Sequence, residues 1–479
     1  MTTNEQLDEC HKVELPFIDQ LKSMGWSYIE GDKDVPYLTD RESFREVLLR
    51  NRLRKALQAI NVDEEGKPWL DDRRINEAVS QLERLGAHKL MEANQAALEL
   101  LIKGVSVEGL PEKHGSRDQT VRFIDFTHPE RNEFLVINQF RVDVPGTQTF
   151  ILPDIVLFIN GIPVVVVECK SPGTTDPMEE GIEQLLRYSN QRTWVEADQE
   201  GNERLFHYNQ LMVSTYYYKA KYGTIGAQPE HYMEWKDTSP VPMAEVAAKL
   251  GVDKLQSQQL LIAGMLRPAH LLDLIRNFTL FKQESGRTIK IAARYQQFRA
   301  VHAALHRLHY GQTRRENGEF DQRGGVIWHT QGSGKSLSMV FLVRKMRTVP
   351  ELRRFKIVIV TDRIDLQDQL SKTAALTSET VRIAKNSNKL QGILREPGAD
   401  LVFAMIQKYQ ARDDDEAEII ELKRPEIIAA QKVSLPDKLR KLVIDTQPFP
   451  VLNESEEILV LVDEAHRSQT SDLHANLMR

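Results

Sequence analysis

Apolar residues recur every three or four positions through much of the first hundred residues, which is the spacing of amphipathic helices. This pattern predicts helices in three segments: residues 5–30, 41–59 and 71–101. Runs rich in β-branched and aromatic residues follow, and such runs predict strands. These runs are residues 121–126, 133–142, 151–159, 163–170 and 210–226. A further helical pattern lies at 179–190, so the amino-terminal half is predicted to be a mixed α/β domain.

The second half of the chain alternates strands and helices. Residues 271–281 and 292–308 predict helices, and four apolar strands follow, each leading into a loop. These strands lie in GGVIWHT (324–330), FKIVIVTDR (355–363), DLVFAMIQK (400–408) and EILVLVDEAH (457–466). Strands that alternate with helices favour a parallel sheet. Residues 227–260 are rich in Pro, Ala and Gln, so the sequence predicts two domains, over residues 1–260 and 261–479.

Length and composition agree with this division. The chain has 479 residues, more than one ordinary core needs, and its 41% hydrophobic and 28% charged residues are typical of globular proteins. The first residues are polar, and no apolar run approaches the roughly 18 residues of a membrane helix. Cys10 and Cys169 have neither zinc-site nor disulfide spacing, so a cytoplasmic protein without membrane contact is expected. The net charge of −6 gives no support to nucleic-acid binding, and basic runs at 41–55 and 344–356 only permit it.

A glycine-rich loop, HTQGSGKS (329–336), follows the predicted strand GVIW and precedes a helical pattern. Its glycines allow a tight turn that directs backbone N–H groups at phosphate oxygens, and the helix N-terminus adds its positive dipole end. Lys335 supplies a charge for the β- and γ-phosphates, and Ser336 a hydroxyl ligand for Mg²⁺. His329 stands where such loops usually have their first glycine. The predicted nucleotide-binding residues are Thr330, Gly332, Ser333, Gly334, Lys335 and Ser336.

Two acids follow the last apolar strand, in VLVDEAH (460–466). Asp463 lies at the carboxyl end of that strand, which is where open α/β sheets bind ligands. Asp463 is predicted to hold Mg²⁺ through water, and Glu464 to polarise the attacking water. A solvated acidic pair is the alternative, and the glycine-rich loop upstream disfavours it.

The order of these segments resembles that of the motifs in superfamily 2 helicases and translocases. The matching segments are VTDRIDLQDQL (360–370) for motif Ia, MIQKYQ (405–410) for the DNA-contacting motif after it, and DEAH (463–466) for motif II. ARYQQ (293–297) resembles the Q-motif, in which Gln297 would read adenine. Met405 departs from the usual threonine. The resemblance implies a RecA-like P-loop domain with a parallel sheet that binds ATP and Mg²⁺.

The most hydrophobic hairpin of the sequence, PDIVLFINGIPVVVVECKSP (153–172), carries three charges at one end: Asp154, Glu168 and Lys170. Two close carboxylates suit Mg²⁺, which takes oxygen ligands and keeps several waters. A lysine beside them can orient or deprotonate a metal-bound water and help to neutralise a phosphate. A structural salt bridge at the strand ends is the alternative. Cys169 is expected to point the other way, into the core.

The turn decides whether this site exists. A strict two-residue Asn-Gly turn would place Asp154 opposite Val167 and put Glu168 on the other face of the sheet. The two carboxylates share a face only if the turn holds an odd number of residues or a bulge intervenes. A three-residue turn that ends in Gly161 meets this condition and is the expectation.

The spacing Asp–x13–Glu–x–Lys resembles the PD-(D/E)xK nuclease core. QLLRY (184–188) resembles the QxxxY motif of the RecB-like branch, with both motif residues on one helix face. The resemblance implies a restriction-endonuclease-like α/β core, a mixed sheet flanked by helices, in which Asp154 and Glu168 bind Mg²⁺. The catalytic residues that it implies are Asp154, Glu168, Lys170, Gln184 and Tyr188. Glu77 is a candidate for a further acid, and an exposed surface acid is the alternative.

A RecB-like nuclease followed by such a motor resembles the motor and cleavage (R) subunit of type I restriction enzymes. The resemblance also runs through residues 219–237, 270–281 and 290–301. It implies an ATP-dependent endonuclease that acts on double-stranded DNA with methylase and specificity subunits. Members of that family continue beyond the DEAH box, so this chain, ending at Arg479, is expected to be a fragment that does not translocate alone. A non-catalytic DNA- or partner-binding remnant and a stand-alone repair helicase–nuclease are the alternatives.

Overall fold

The strands of the chain are short and lie largely where β-branched residues cluster. A computed structural model describes residues 9–192, 200–330, 332–361, 381–384, 387–405 and 451–463. Contacts divide the chain into two compact units, Met1–Arg299 and Ala300–Arg479. The strands of the first unit are β1 (Ser27–Ile29), β2 (Val105–Val107), β3 (Gln119–Val121), β4 (Phe134–Asn138), β5 (Val142–Asp143), β6 (Phe150–Ile151), β7 (Ile155–Ile159), β8 (Ile162–Cys169), β9 (Leu211–Thr215), β10 (Ala220–Gly223), β11 (Met233–Glu234), β12 (Thr279–Glu284) and β13 (Arg287–Ala292).

A mixed sheet organises the first unit. Among the described residues it has seven strands, in the order β1-β4-β7-β8-β9-β10-β11. The pairs β1–β4 and β8–β9 are parallel, and the other neighbours are antiparallel. Strands β7 and β8 lie at its centre and are buried along their whole length, which explains their nearly continuous apolar sequence. The predicted mixed α/β character is confirmed.

Among the described residues, eleven α-helices have eight or more residues. They are α1 (Leu15–Ser23), α2 (Arg50–Ile60), α3 (Asp72–Glu83), α4 (Leu90–Lys103), α5 (Pro177–Tyr188), α6 (Met243–Leu250), α7 (Ser257–Met265), α8 (Pro268–Asn277), α9 (Tyr295–Tyr310), α10 (Lys335–Thr348) and α11 (Ser387–Arg395). Helix α2 is shorter than its predicted segment, since residues 41–49 bury apolar side chains without forming an α-helix. The segment 71–101 is two helices, and the predicted helix 271–281 ends at Asn277, before β12.

Helix α7, which spans residue 260, packs against α1. Trp26 Nε1 donates a hydrogen bond to the Leu266 carbonyl at 2.9 Å, and Gln20 Nε2 donates to the Gln259 carbonyl at 3.0 Å. Contacts therefore place residues as far as Arg299 in the first unit. The functional boundary between residues 260 and 261 stays a prediction.

The β7–β8 turn differs from the expected three-residue turn. Ile159 pairs with Ile162, so Asn160 and Gly161 form a two-residue turn, with φ of 53° and 78°. These left-handed values suit the twist of a hairpin. Glycine is also needed at position 161 for steric reasons, because a Cβ there would lie 2.7 Å from the Leu49 carbonyl oxygen. The expectation of a three-residue turn is therefore wrong, because Asn and Gly together satisfy the tighter one.

A bulge nevertheless restores the required register. Phe158 pairs with Pro163, whereas the preceding residue, Leu157, pairs with Val165. Val164 on β8 is therefore left without a partner on β7. Proline tolerates such a position because it has no N–H to offer the ladder. The bulge thus provides the one-residue shift that an odd-length turn would have given. On the side of the bulge away from the turn, Asp154 and Glu168 lie on the same face of the sheet.

The second unit contains the predicted parallel sheet. Its strands are β14 (Lys356–Thr361), β15 (Val381–Ala384), β16 (Leu401–Met405) and β17 (Ile458–Val462). In the described part of this unit they pair in the order β15-β16-β14-β17, and every pair is parallel. Apolar side chains from α11 and from these strands form its core. No described helix in the whole chain is long and apolar enough to cross a membrane.

The predicted strand GVIW before the glycine-rich loop is not a strand. Residues 324–330 have no regular secondary structure, and Val326 and Trp328 are 90% and 89% exposed. A strand needs a neighbour that supplies backbone partners. Within the described ranges the sheet ends at β17, whose side chains stay half-buried, so the segment lies outside it.

Candidate functional site

The β7–β8 hairpin brings the predicted nuclease residues to one end of the central sheet. Asp154 precedes β7, Glu168 lies near the end of β8, and Lys170 follows it. Their exposed fractions are 7%, 0% and 1%. Three buried ionisable side chains are costly unless they are paired or hydrogen-bonded, so their partners indicate what the cluster does.

Lys170 connects the two predicted nuclease motifs. Its Nζ lies 2.7 Å from Glu168 Oε1 and donates to Gln184 Oε1 at 2.9 Å. Gln184 Nε2 lies 2.6 Å from Tyr188 Oη, which donates to the Leu152 carbonyl at 3.2 Å. Gln184 and Tyr188 lie one turn apart on α5, which packs against β8 and β9. The structure therefore brings these four predicted residues into one hydrogen-bonded row.

The two carboxylates are buried with different partners. Asp154 Oδ2 accepts a hydrogen bond from the Cys169 N–H at 2.7 Å, yet burial raises the pKa of Asp154. Burial and the charge of Asp154 raise the pKa of Glu168 well above its ordinary value, and Lys170 opposes this shift. Glu168 Oε2 is buried without a hydrogen-bond partner among the described residues. An unsatisfied carboxylate oxygen near a second carboxylate fits a divalent cation.

Lys170 remains charged in this setting. Burial lowers the pKa of its ammonium group, but the charges of Glu168 and Asp154 outweigh burial and raise the pKa above its ordinary value. Burial also raises the pKa of the Tyr188 hydroxyl, which stays protonated and able to donate. The site therefore contains one positive charge, on Lys170, beside carboxyl groups whose ionised form is made less favourable by burial.

Two acids outside the predicted set also lie at this site. Glu14 ends a π-helical turn, Cys10–Glu14, and Glu9 precedes that turn. Burial raises the pKa of Glu14 to about 7. The hydrogen bond from Asn138 opposes this shift, and the charge of Asp154 adds to it. Burial and the charge of Asp154 raise the pKa of Glu9 to about 7 as well. The amino-terminal helix thus adds carboxylates to the same charged cluster.

Glu14 was recognisable from its place on the apolar stripe of its helix. Phe17, Ile18 and Leu21 follow it at three, four and seven positions, and all are buried. A glutamate on such a stripe must be buried, and it needs a reason to be there. Glu77 is half-buried on α3, which packs against β2. The further acids that the structure places near Asp154 are Glu14 and Glu9.

The cluster has the donors that Mg²⁺ prefers without a finished coordination shell. In the parts of the chain that the structure describes, no three His, Cys, Asp or Glu side chains converge closely enough to hold a metal ion. One Glu168 oxygen is already bonded to Lys170, and one Asp154 oxygen to a backbone N–H. The residues that could hold a cation are Asp154 and Glu168, each through its other oxygen, with Glu14 near Asp154.

The glycine-rich loop of the second unit turns where its sequence predicts. Gly332 and Gly334 have φ of 76° and 82°, values that favour glycine, and α10 begins at Lys335. The N–H and hydroxyl of Ser333 both donate to the Thr330 carbonyl, at 3.2 and 2.6 Å. A helix that starts at the loop's lysine gives the arrangement suited to an anion.

The predicted metal-binding acid of this unit lies at the carboxyl end of the parallel sheet. Asp463 follows β17, is 3% exposed, and accepts a hydrogen bond from Thr361 Oγ1 at 3.4 Å. Gln297 is 2% exposed near the start of α9, and its Oε1 accepts the Arg294 N–H at 2.8 Å. Glu464 and most of the segments resembling motif Ia and the motif after it lie outside the described residues.

Two family models match the chain, one for each predicted domain. The model described as type I restriction enzyme R protein N terminus matches residues 6–231, and the model described as SWI2/SNF2 ATPase matches residues 296–479. Residues 6–231 are therefore similar to the N terminus of type I restriction enzyme R proteins, and residues 296–479 to SWI2/SNF2 ATPases. Both predicted sites fall inside the matched ranges, the carboxylate–lysine cluster in the first and the glycine-rich loop in the second.

Curated endonuclease subunits of type I restriction enzymes are similar to nearly the whole chain. The type I restriction enzyme HindI endonuclease subunit of Haemophilus influenzae is 32% identical over 471 residues, which are 95% of this chain and 39% of that protein. The putative MjaIXP endonuclease subunit of Methanocaldococcus jannaschii is 28% identical over 488 residues, 99% of this chain and 41% of that protein. The chain thus spans about two fifths of the length of each relative.

Proposed function

We propose that this chain carries the DNA-cleaving centre and the first ATP-binding lobe of a type I restriction enzyme. Its substrate is double-stranded DNA, and its partners are the methylase and specificity subunits of the same system, in the cytoplasm. One observation carries the proposal. Lys170 is held between Glu168 and Gln184, while a second Glu168 oxygen, near Asp154, has no hydrogen-bond partner among the described residues. The relatives' description as endonuclease subunits supports it.

The carboxylates of Asp154 and Glu168 would hold Mg²⁺, and Glu14 is available as a further oxygen donor. Mg²⁺, when bound, lowers the pKa of a water ligand and polarises a phosphate oxygen. Lys170 is protonated, because the neighbouring carboxylates raise the pKa of its ammonium group. It therefore stabilises the negative charge that builds up on the attacked phosphate and orients the water, and it is not the resting base. Gln184 is the positioning residue, since its carbonyl oxygen accepts from Lys170 Nζ at 2.9 Å.

The second unit would bind ATP through its glycine-rich loop. Lys335 would contact the β- and γ-phosphates, and Ser336 and Asp463 would hold the accompanying Mg²⁺. Glu464 would orient the attacking water, and Gln297 would read adenine. The backbone cradle for the phosphates comes from Thr330, Gly332, Ser333 and Gly334. The left-handed glycines and the helix that begins at Lys335 support this assignment.

The test is cleavage of unmodified double-stranded DNA, with Mg²⁺ and ATP, by the chain assembled with its methylase and specificity subunits. Asp154→Ala and Lys170→Ala should abolish cleavage and leave ATP hydrolysis unchanged. Lys335→Ala should abolish ATP hydrolysis. Glu77→Gln, which removes a carboxylate outside the cluster, is the matched control and should keep both activities. Loss of both activities in Asp154→Ala would indicate a folding role and would contradict the proposal.

A further inference from the structure

Two amides at the end of β4 contact the buried carboxylates. Asn138 Nδ2 donates to Glu14 Oε1 at 2.7 Å, and Gln139 Nε2 lies 3.2 Å from Glu14 Oε2. The same Gln139 nitrogen lies 3.4 Å from Asp154 Oδ1. One amide group therefore bridges a carboxylate of the amino-terminal helix and a carboxylate of the β7–β8 hairpin. Neither amide belongs to the motifs by which the nuclease centre was predicted.

The hydrogen bonds of Asn138 fix its orientation. Its Oδ1 accepts from the Gly31 N–H at 3.0 Å and from the Tyr28 hydroxyl at 3.1 Å. An amide oxygen that accepts from two donors leaves its nitrogen directed at Glu14. A Cβ on Gly31 would lie 1.9 Å from the Asn138 carbonyl oxygen, so glycine is needed for this close approach. The first amide is thus fixed by neighbours that are independent of the carboxylates.

The backbone holds Gln139 in an uncommon conformation. Its φ is 46°, in the left-handed region, which is unfavourable for a residue other than glycine. Its N–H donates to the Asp154 carbonyl at 2.8 Å, and the Phe140 N–H donates to the Pro153 carbonyl at 3.1 Å. These bonds attach Gln139 to the segment that carries Asp154. A glutamine in this unfavourable conformation is consistent with a role for its side chain at the site.

We propose that Asn138 and Gln139 form an amide clamp that holds Glu14 beside Asp154, so that Glu14 adds a carboxylate to the cation site of Asp154 and Glu168. This inference rests on the proposed Mg²⁺-dependent nuclease function and assigns two positioning residues to it. Neutral N–H donors offset the repulsion between two buried carboxylates without neutralising them, so both oxygen groups keep their affinity for a cation. The clamp also explains how a helix distant in sequence stays in register with the hairpin.

The inference is tested by Mn²⁺ binding to the full chain, followed by electron paramagnetic resonance. Gln139→Ala should weaken binding about tenfold, as expected when a partner of a metal ligand is lost. Gln139→Gly should weaken binding equally while melting at a higher temperature than Gln139→Ala, because glycine tolerates the left-handed backbone. Gln283→Ala removes an exposed glutamine, bonded to Thr288 at 2.7 Å, and should change nothing.

Cleavage in the assembled enzyme gives a second readout. In Gln139→Ala the Mg²⁺ concentration for half-maximal cleavage should rise about tenfold, and saturating Mg²⁺ should restore the rate, which damage to the fold would not allow. Wild-type affinity for Mn²⁺ in either Gln139 variant overturns the clamp. Asp154→Asn separates the two proposals. If it binds Mn²⁺ as the wild type does, the proposed metal site fails, whereas loss of binding there with normal binding in the Gln139 variants overturns only the clamp.

Discussion

Replacing Lys170 by methionine tests whether the Glu168–Lys170 pair serves stability or chemistry. Both side chains are almost fully buried, with 2.7 Å between Nζ and Oε1. Removing one partner of a buried ion pair leaves an uncompensated charge and costs about 3–5 kcal/mol, whereas replacing both partners by groups of similar volume is often neutral or stabilising. Lys170→Met should therefore lower the free energy of unfolding of the first unit by about 3–5 kcal/mol at pH 8, and adding Glu168→Gln should recover most of it.

The loss in Lys170→Met should shrink as the pH falls. The pKa of Glu168 is raised in the folded state above its unfolded value, and it rises further once Lys170 no longer opposes the shift. The folded protein therefore takes up a proton as the pH falls through that raised value, and the unpaired carboxylate becomes neutral. The difference in stability between the variant and the wild type is expected to be largest at pH 8 and smaller at pH 5.

Hydrogen–deuterium exchange of peptides from β7 and β8, read by mass spectrometry, reports the opening of the first unit by itself. Lys282→Met is the control, because Lys282 and Glu284 form a 3.6 Å ion pair with side chains 31% and 55% exposed, and such a pair contributes about 1 kcal/mol or less. A double variant as unstable as Lys170→Met would refute the reasoning. A double variant that is stable but cleaves no DNA would show that Glu168 and Lys170 are needed for cleavage and not for stability.

Two further substitutions test the cluster and the turn. Glu14→Gln should raise the melting temperature at pH 8 and raise it much less at pH 5, because burial raises the pKa of Glu14 to about 7, and most of the cost of its buried charge appears between its unfolded pKa and that value. Equal shifts at both pH values would contradict this. Gly161→Ala should cost more stability in urea denaturation than Gly66→Ala. Both glycines have positive φ, but only at Gly161 would a Cβ meet the Leu49 carbonyl. Equal losses would show that the backbone conformation alone matters.

Short-range patterns predicted the residues that the structure brings together around Lys170, and the glycine-rich turn before Lys335. Glu168 and Lys170 share a face because strand residues alternate, and Gln184 and Tyr188 share one because four residues make a helical turn. The loop before Lys335 follows from its glycines. These relations depend on covalent geometry and local backbone conformation, so they can be read from neighbouring residues.

The relations between distant segments came from folding. The β7–β8 bulge, which aligns Asp154 with Glu168, lies beside Pro163, a residue compatible with a bulge, but the sequence does not show where the pairing shifts. Glu14 lies 124 residues before Asn138 in the sequence, yet the two side chains are hydrogen-bonded at the site. The segment GVIW lies outside the sheet despite its apolar sequence. Such outcomes depend on which surfaces meet and which backbone partners are available. These long-range contacts are determined by side-chain packing across the whole fold, and the spacing of neighbouring residues in the sequence does not encode that packing.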